Sequence, residues 1–550
     1  MSIKSERLTA WVEKMSLTGL LLATLFFAAS LTPSLIPRHF ALQGVLSGLS
    51  SAVGYGIGLL LERTWIYVQL PQPDGRLAKR LKQGVGLACL VIAIVFLWLA
   101  NGWQNSVREA LDMPLANNAN PFQVGLIAFL TFCFFMAIAR LVRLTFRVIS
   151  RRLKGRLPDR VAYLLGAVIA ALLFWSVLDG VIFRTALHIA DRSYRELDAR
   201  IETDVAAPTD PGKAGSAASL IAWQDMGRRG REFVVAGPSR ESISGLLKAP
   251  AMEPIRVYAG LNNAETPKER AKLALAELKR VGGFDRSVLV IIIPTGTGWV
   301  DPAGSDTVEY IHRGDTASVA VQYSYLSSWL SLWIEPDNGS GTALALFDEV
   351  YGYWRTLPRE TRPKLYLHGL SLGALNSQRS ADLFRVIGDP FDGAVWSGTP
   401  FQSTMWRTMT AGRRPGSPAW LPISGDSSTV RFTNQDNHLD IPGATWGPMR
   451  IVMLQYASDP ITFFEPSIFY RQPDWMDAPR GPDVSPAFRW IPIVTALQLG
   501  VDIMVSGTVP PGRGHVFSAA NYADSWVAVT EPPNWSEQDT KTLKAAMAGR

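Results

Sequence analysis

The first third of the chain alternates long apolar runs with short basic loops. Residues 17–36, 41–61, 84–100, 121–139 and 161–183 are almost wholly apolar, and Asp179 is the only charged residue within their cores. A helix rises about 1.5 Å per residue, so roughly 20 apolar residues cross the hydrocarbon layer. The pattern predicts five transmembrane helices in residues 1–184. Lys4, Arg7 and Lys14 ahead of the first run also resemble the basic start of a signal peptide, but no small-residue cleavage pattern follows. Gly44 and Gly48 stand four residues apart in the second run, followed by Gly54, Gly56 and Gly58. Small residues let helices approach closely in lipid, so this spacing predicts packing within the bundle.

The period changes beyond the fifth run. Residues 184–200 read as a helix leaving the membrane surface, and 201–220 as a linker rich in Ala, Ser, Gly, Pro, Thr and Asp. From 221 to 550, short apolar runs alternate with helical patterns, which predicts a mostly parallel sheet with helices on both faces. Strands are expected at 232–236, 255–260, 288–293, 318–323, 364–368, 393–397 and 450–457. Thr266, Pro267 and Glu269 form a capping box with proline in the first turn, the start of a helix. Further helices are expected at 342–356, 372–387, 522–529 and 536–548. The expected fold is thus an all-α transmembrane bundle (1–184), a juxtamembrane helix and linker (185–220), and an α/β domain (221–550).

Composition sharpens this division. Only 18% of the 550 residues are charged, against about 25% in an average soluble protein. The net charge of +7 would suit a nucleic-acid partner, but it is unevenly spread. Residues 1–184 carry 19 Lys and Arg against 8 Asp and Glu, a net +11, and the remainder carries 35 against 39, a net −4. The basic charge therefore accompanies the membrane runs, and a nucleic-acid partner loses its support. From the N-terminus, the segments between runs carry three, one, five, one and eight Lys or Arg. Positive loops stay inside, so the N-terminus is expected in the cytoplasm and everything after the fifth run on the extracytoplasmic side of the plasma membrane. Both cysteines, Cys89 and Cys133, fall in the runs, which leaves the second domain without a disulfide.

The chemistry centres on Gly369-Leu-Ser-Leu-Gly373, preceded by an apolar strand and followed by a helical pattern. A nucleophile on a tight strand-to-helix turn needs small neighbours, and the helix N-terminus aims amides at the developing oxyanion. Ser371 is the candidate nucleophile. A serine needs a base and the base an orienting acid, here in the order Ser, acid, His. His515, in Pro510-Pro-Gly-Arg-Gly-His-Val516, is the candidate base; His438 precedes the best acid and breaks the order. Asp459, at the end of a clean strand pattern and before Pro460, is the candidate acid, with Asp502 and Asp477 as rivals. Oxyanion donors are expected from the amide of Leu372 and from one of Thr295, Gly296, Thr297 and Gly298, which follow the 288–293 strand. His368 reads as a buried strand residue. The six histidines are scattered without a ligand cluster, and no cofactor or metal site is expected.

PTGTGWVDP (294–302), LHGLSLGA (367–374), WSGTPF (396–401), YASDPI (456–461) and GRGHVF (512–517) together resemble the bacterial membrane-anchored α/β-hydrolase family. In that family an N-terminal membrane domain precedes the catalytic domain. The resemblance covers nearly the whole chain and implies a serine hydrolase with Ser371, Asp459 and His515 as triad. It implies no substrate. The expected activity is that of an esterase or lipase-like enzyme acting on an acyl or lipid-like ester at the membrane surface. Acyl transfer by the same triad, or a non-catalytic receptor or scaffold that retains the fold, are the alternatives; a transporter lacks intramembrane charge. Tyr323, Tyr325, Trp329, Leu330, Leu332 and Trp333 form a run that suits a lid or an acyl-chain wall, or else an amphipathic helix on the core.

Overall fold

The structure is a computed structural model that describes residues 16–72, 75–177, 205–326 and 338–548, with 180, 196, 198 and 200 between them. Asp179, most of 184–204, and Trp329, Leu330, Leu332 and Trp333 lie outside the described residues. The chain divides into two compact units. One comprises residues 1–187 together with 466–473 and 484–505; the other comprises 188–465, 474–483 and 506–550.

The helical unit contains Leu17–Ser30, Phe40–Tyr67, Gly75–Ala110, Pro121–Lys154, Asp159–Trp175 and, from far along the chain, Val494–Val505. Three of these, Phe40–Tyr67, Gly75–Ala110 and Pro121–Lys154, are long and apolar enough to cross a membrane. The first and fifth of the expected runs form shorter helices among the described residues. The run 17–36 is not one helix: it stops at Ser30 after 14 residues, about 21 Å of rise. Pro33 and Pro37 lack the amide that a continuing helix requires, and residues 31–39 turn instead. The fifth helix is described over 17 residues only.

Gly44, Gly48, Gly54 and Gly58 pack helices, as their spacing predicts, whereas a methyl group on Gly56 would meet nothing within 4 Å. A methyl group on Gly48 would stand 2.5 Å from the carbonyl oxygen of Ala128, and one on Gly58 would stand 2.5 Å from that of Thr18. The helix Phe40–Tyr67 thus presses on Pro121–Lys154 with one part of its length and on Leu17–Ser30 with another. Ser30 Oγ donates to Ser47 Oγ (2.8 Å) and Gln43 Nε2 to the Ser30 carbonyl (2.9 Å), satisfying polar groups inside the bundle.

The second unit is built on seven parallel strands: β1 (Ile255–Ala259), β2 (Val288–Ile293), β3 (Thr316–Val321), β4 (Lys364–Leu370), β5 (Gly393–Ser397), β6 (Val430–Thr433) and β7 (Arg450–Leu454). Their order across the sheet is β1-β3-β2-β4-β5-β7-β6. All but the first residue of β4 and of β7 are buried, as expected of a sheet covered on both faces. The step from β2 to β3 runs one way across the sheet and the steps from β3 to β4 and β4 to β5 run the other. Right-handed crossovers therefore put Pro302–Ile311 on the face opposite Asn338–Trp354 and Leu372–Ser380.

Two strand assignments change. Residues 232–235 end the helix Arg228–Val235, in which Arg228 and Arg229 both pair with Glu232 along the helix surface. The run Phe233-Val-Val235 is too short to show its period, and the i,i+4 charge pattern decides it. The strand β6 was not expected: it is four residues long and contains a buried arginine, Arg431, whose guanidinium donates to the carbonyls of Ser427, Leu439 and Ala444. The capping box at Thr266 is present, with Thr266 Oγ1 accepting from the Glu269 amide (3.2 Å) and Glu269 Oε2 from the Thr266 amide (3.0 Å).

Candidate active site

The strand β4 ends at Leu370 and the helix Leu372–Ser380 begins two residues later, so Ser371 carries the whole change of direction. Its backbone sits at φ 58°, ψ −124°, a region that non-glycine residues adopt only where the surroundings enforce it. Two glycines make the enforcement possible. A methyl group on Gly373 would lie 2.1 Å from the carbonyl oxygen of Ile293, and one on Gly369 would lie 2.4 Å from the carbonyl carbon of Gly373. The helix can therefore press onto the end of β2 only because both positions lack a side chain. The Ser371 amide donates to the Ser397 carbonyl at the end of β5 (3.0 Å), which fixes the turn against its neighbouring strand. Leu372 is the first residue of the helix, so its amide has no intrahelical acceptor.

Asp459 follows β7 and caps the short helix Pro460–Phe463. Its side chain is fully buried. Oδ1 accepts from the Ile461 amide (2.9 Å), while Oδ2 accepts from Thr462 Oγ1 (3.1 Å) and faces His515 Nδ1 at 2.7 Å. His515 reaches that position from the loop ahead of Ala519–Thr530. Its other ring nitrogen, Nε2, is buried and has no hydrogen-bond partner among the described residues. A methyl group on Gly398 would stand 2.6 Å from His515 Cε1. Gly398 directly follows Ser397, whose carbonyl holds the Ser371 amide. The nucleophile candidate and the histidine ring thus flank one dipeptide, Ser397-Gly398.

The rivals lie elsewhere. Asp502 belongs to the helical unit, where it forms a buried ion pair with Arg38 (2.8 Å). His438 and Asp477 are exposed. His368 is buried in β4 with Nδ1 2.8 Å from the Val395 carbonyl, and burial lowers its pKa to about 4, so the ring is a neutral core residue. In the loop after β2, the Thr295 amide donates to the Trp299 carbonyl and the Gly298 amide to the Thr295 carbonyl, each at 2.9 Å. Two of the four loop amides considered as oxyanion donors, those of Thr295 and Gly298, are therefore spent inside the loop.

A second layer, which the residue pattern does not reveal, supports the turn. The Tyr522 hydroxyl lies 2.6 Å from Ser397 Oγ and 3.1 Å from Asp301 Oδ2, and Asp301 Oδ1 caps Pro302–Ile311 through the Ala303 amide (3.0 Å). Burial pushes the Asp301 carboxyl up to about 7. Asp301 lies in the PTGTGWVDP block, but only the tertiary structure shows what its carboxyl touches.

An all-parallel sheet with a serine on a strand-to-helix turn at its centre is the architecture of the α/β-hydrolases. The chain belongs to the alpha/beta-hydrolase family, whose model matches residues 255–543, while the model of that family's N-terminus matches residues 31–238. No curated protein and no solved structure matches the chain significantly.

Proposed function

We propose that the protein is a membrane-embedded serine hydrolase of acyl or lipid-like esters, with Ser371 as nucleophile, His515 as base and Asp459 as orienting acid. The observation that carries this reading is the state of the His515 ring. Nδ1 is held by a buried carboxylate, and Nε2 has no partner among the described residues, beside the strained serine turn. With Nδ1 protonated toward Asp459, Nε2 bears the lone pair that takes the Ser371 hydroxyl proton.

The oxygen then attacks the ester carbonyl, and the carbonyl oxygen gains negative charge beside the Leu372 amide and the loop that follows β2. His515 returns the proton to the departing alkoxide, which leaves an acyl-Ser371 ester. Water, deprotonated by the same nitrogen, releases the acid and restores the serine.

The extracytoplasmic placement of the second unit is inferred from the loop charges.

The reading is tested with a fluorophosphonate probe on membranes containing the native chain or Ser371→Ala. Covalent labelling of the native chain and none of the variant is expected. Labelling that survives the substitution, or no labelling and no ester turnover by the native chain, overturns the proposal.

A further inference from the structure

Residues 484–505 interrupt the second unit and belong to the helical one. The residues at either end of this segment, Asp483 and Ser506, lie back in the second unit, and both hold the loops that carry the acid and the base. Asp483 Oδ2 accepts from the amide and from Oγ of Ser458, at 3.1 and 2.5 Å, and from Gln435 Nε2 at 2.7 Å. Ser458 directly precedes Asp459. Its Oγ in turn accepts the amide of Gly514 (2.8 Å), which directly precedes His515. At the other end, the Ser506 carbonyl accepts the amide of His515 itself (3.1 Å).

The segment between these two ends is anchored by buried polar contacts inside the helical unit. Asp502 Oδ1 pairs with Arg38 Nε at 2.8 Å, with neither side chain exposed, and its Oδ2 accepts the Leu35 amide at 3.1 Å. Gln498 Nε2 donates to the Thr32 carbonyl (3.0 Å). A buried ion pair adds little net stability over apolar residues of the same shape, but it specifies one register and penalises any other. The Asp483 carboxylate is similarly costly: it is 1% exposed, and its Oδ1 has no partner among the described residues. An apolar residue would serve the core better, unless the position of Ser458 matters.

We propose that Ser458 and Asp483 are positioning residues that set the alignment of Asp459 and His515, Asp483 fixing Ser458 and Ser458 fixing Gly514. The proposal rests on the serine-hydrolase reading, since it concerns the geometry of that site. A hydrogen-bonded dyad tolerates little displacement. A shift of about 1 Å in a catalytic group costs roughly 100-fold in rate.

The test uses the full chain in detergent, with a short-chain p-nitrophenyl ester and the fluorophosphonate probe. Ser458→Ala and Asp483→Asn are made singly and together. Each single change is expected to lower kcat roughly 10- to 100-fold, with KM within about twofold and an unchanged thermal midpoint. The double substitution should lose no more than the worse single one, because the two residues act as one unit.

A kcat within about twofold of native for Ser458→Ala overturns the positioning role. So does a loss carried by KM or matched by a fall in thermal midpoint, which marks a merely structural role. Should Asp483→Asn fail to fold, Ser458→Ala, which removes one hydroxyl, decides alone. A native chain that neither labels nor turns over ester overturns the serine-hydrolase reading and the positioning role together, whereas a reactive native chain with unaffected variants overturns only the positioning role.

Discussion

Replacing Asp459 by Asn tests the dyad with almost no change in shape, and the surrounding donors decide what the amide does. Oδ1 accepts a backbone amide from Ile461, a donor that has no freedom to reverse its role. The Asn carbonyl must therefore occupy the Oδ1 position, which puts its NH2 group where Oδ2 faces His515 Nδ1 at 2.7 Å. Thr462 Oγ1, the other partner of Oδ2, is a hydroxyl that can rotate to accept. Nδ1 then has to accept a hydrogen bond from the amide, so the ring's own hydrogen moves to Nε2. That nitrogen no longer takes the serine proton. A wrong tautomer of this kind costs about 10⁴-fold in rate in serine hydrolases of the triad type, about 5 kcal/mol at 1.36 kcal/mol per tenfold. We expect kcat/KM for a p-nitrophenyl ester to fall by about that factor in Asp459→Asn, with an unchanged thermal midpoint. A variant within about tenfold of native activity would refute the assignment of Asp459 as the orienting acid.

Three other substitutions and fusions follow from the same structure. Burial lifts the Asp301 carboxyl from 3.8 to about 7, so its stability contribution is complete below pH 4 and is lost as pH rises through 7. Asp301→Asn, which keeps an acceptor for the Ala303 amide, should therefore raise the thermal midpoint at pH 8, by a free energy of up to about 4 kcal/mol, and leave it unchanged near pH 4. An equal effect at both pH values would show that the carboxyl does not titrate there. Gly373→Ala drives a methyl group to 2.1 Å from the Ile293 carbonyl, so melting in detergent should show a loss of at least about 2 kcal/mol along with loss of probe labelling. Native-like stability in that variant would mean that the helix does not press on β2. A reporter fused after residue 200 should be active only outside the cytoplasm; activity inside would mean that the chain crosses an even number of times before that point.

The clearest parts of this protein in its sequence are those set by local chemistry. Gly369 and Gly373 specify the turn around Ser371 because a methyl group at either would come within 2.4 Å of backbone atoms. The capping box at Thr266 is visible for the same reason, as three residues that satisfy one another. Where length and period were ambiguous, local reading failed. Residues 232–235 carry three apolar side chains that suit a strand as well as a helix, and the pairs of Arg228 and Arg229 with Glu232 favoured the helix. The run 17–36 has the hydropathy of a span, but Pro33 and Pro37 weigh against continuing the helix past Ser30.

By itself the sequence determined the two compositions, the parallel α/β pattern and the residues with the chemistry of a serine hydrolase. Hydropathy and glycine spacing act over a turn or a strand, so they are legible without a fold. Tertiary structure alone decided which distant groups meet. It placed Asp459 2.7 Å from His515, paired Asp502 with Arg38 across more than 460 positions, and assigned residues 484–505 to the helical unit although the chain around them belongs to the other. A buried charge must find its partner wherever the chain can bring one, and sequence distance places no limit on where that partner lies.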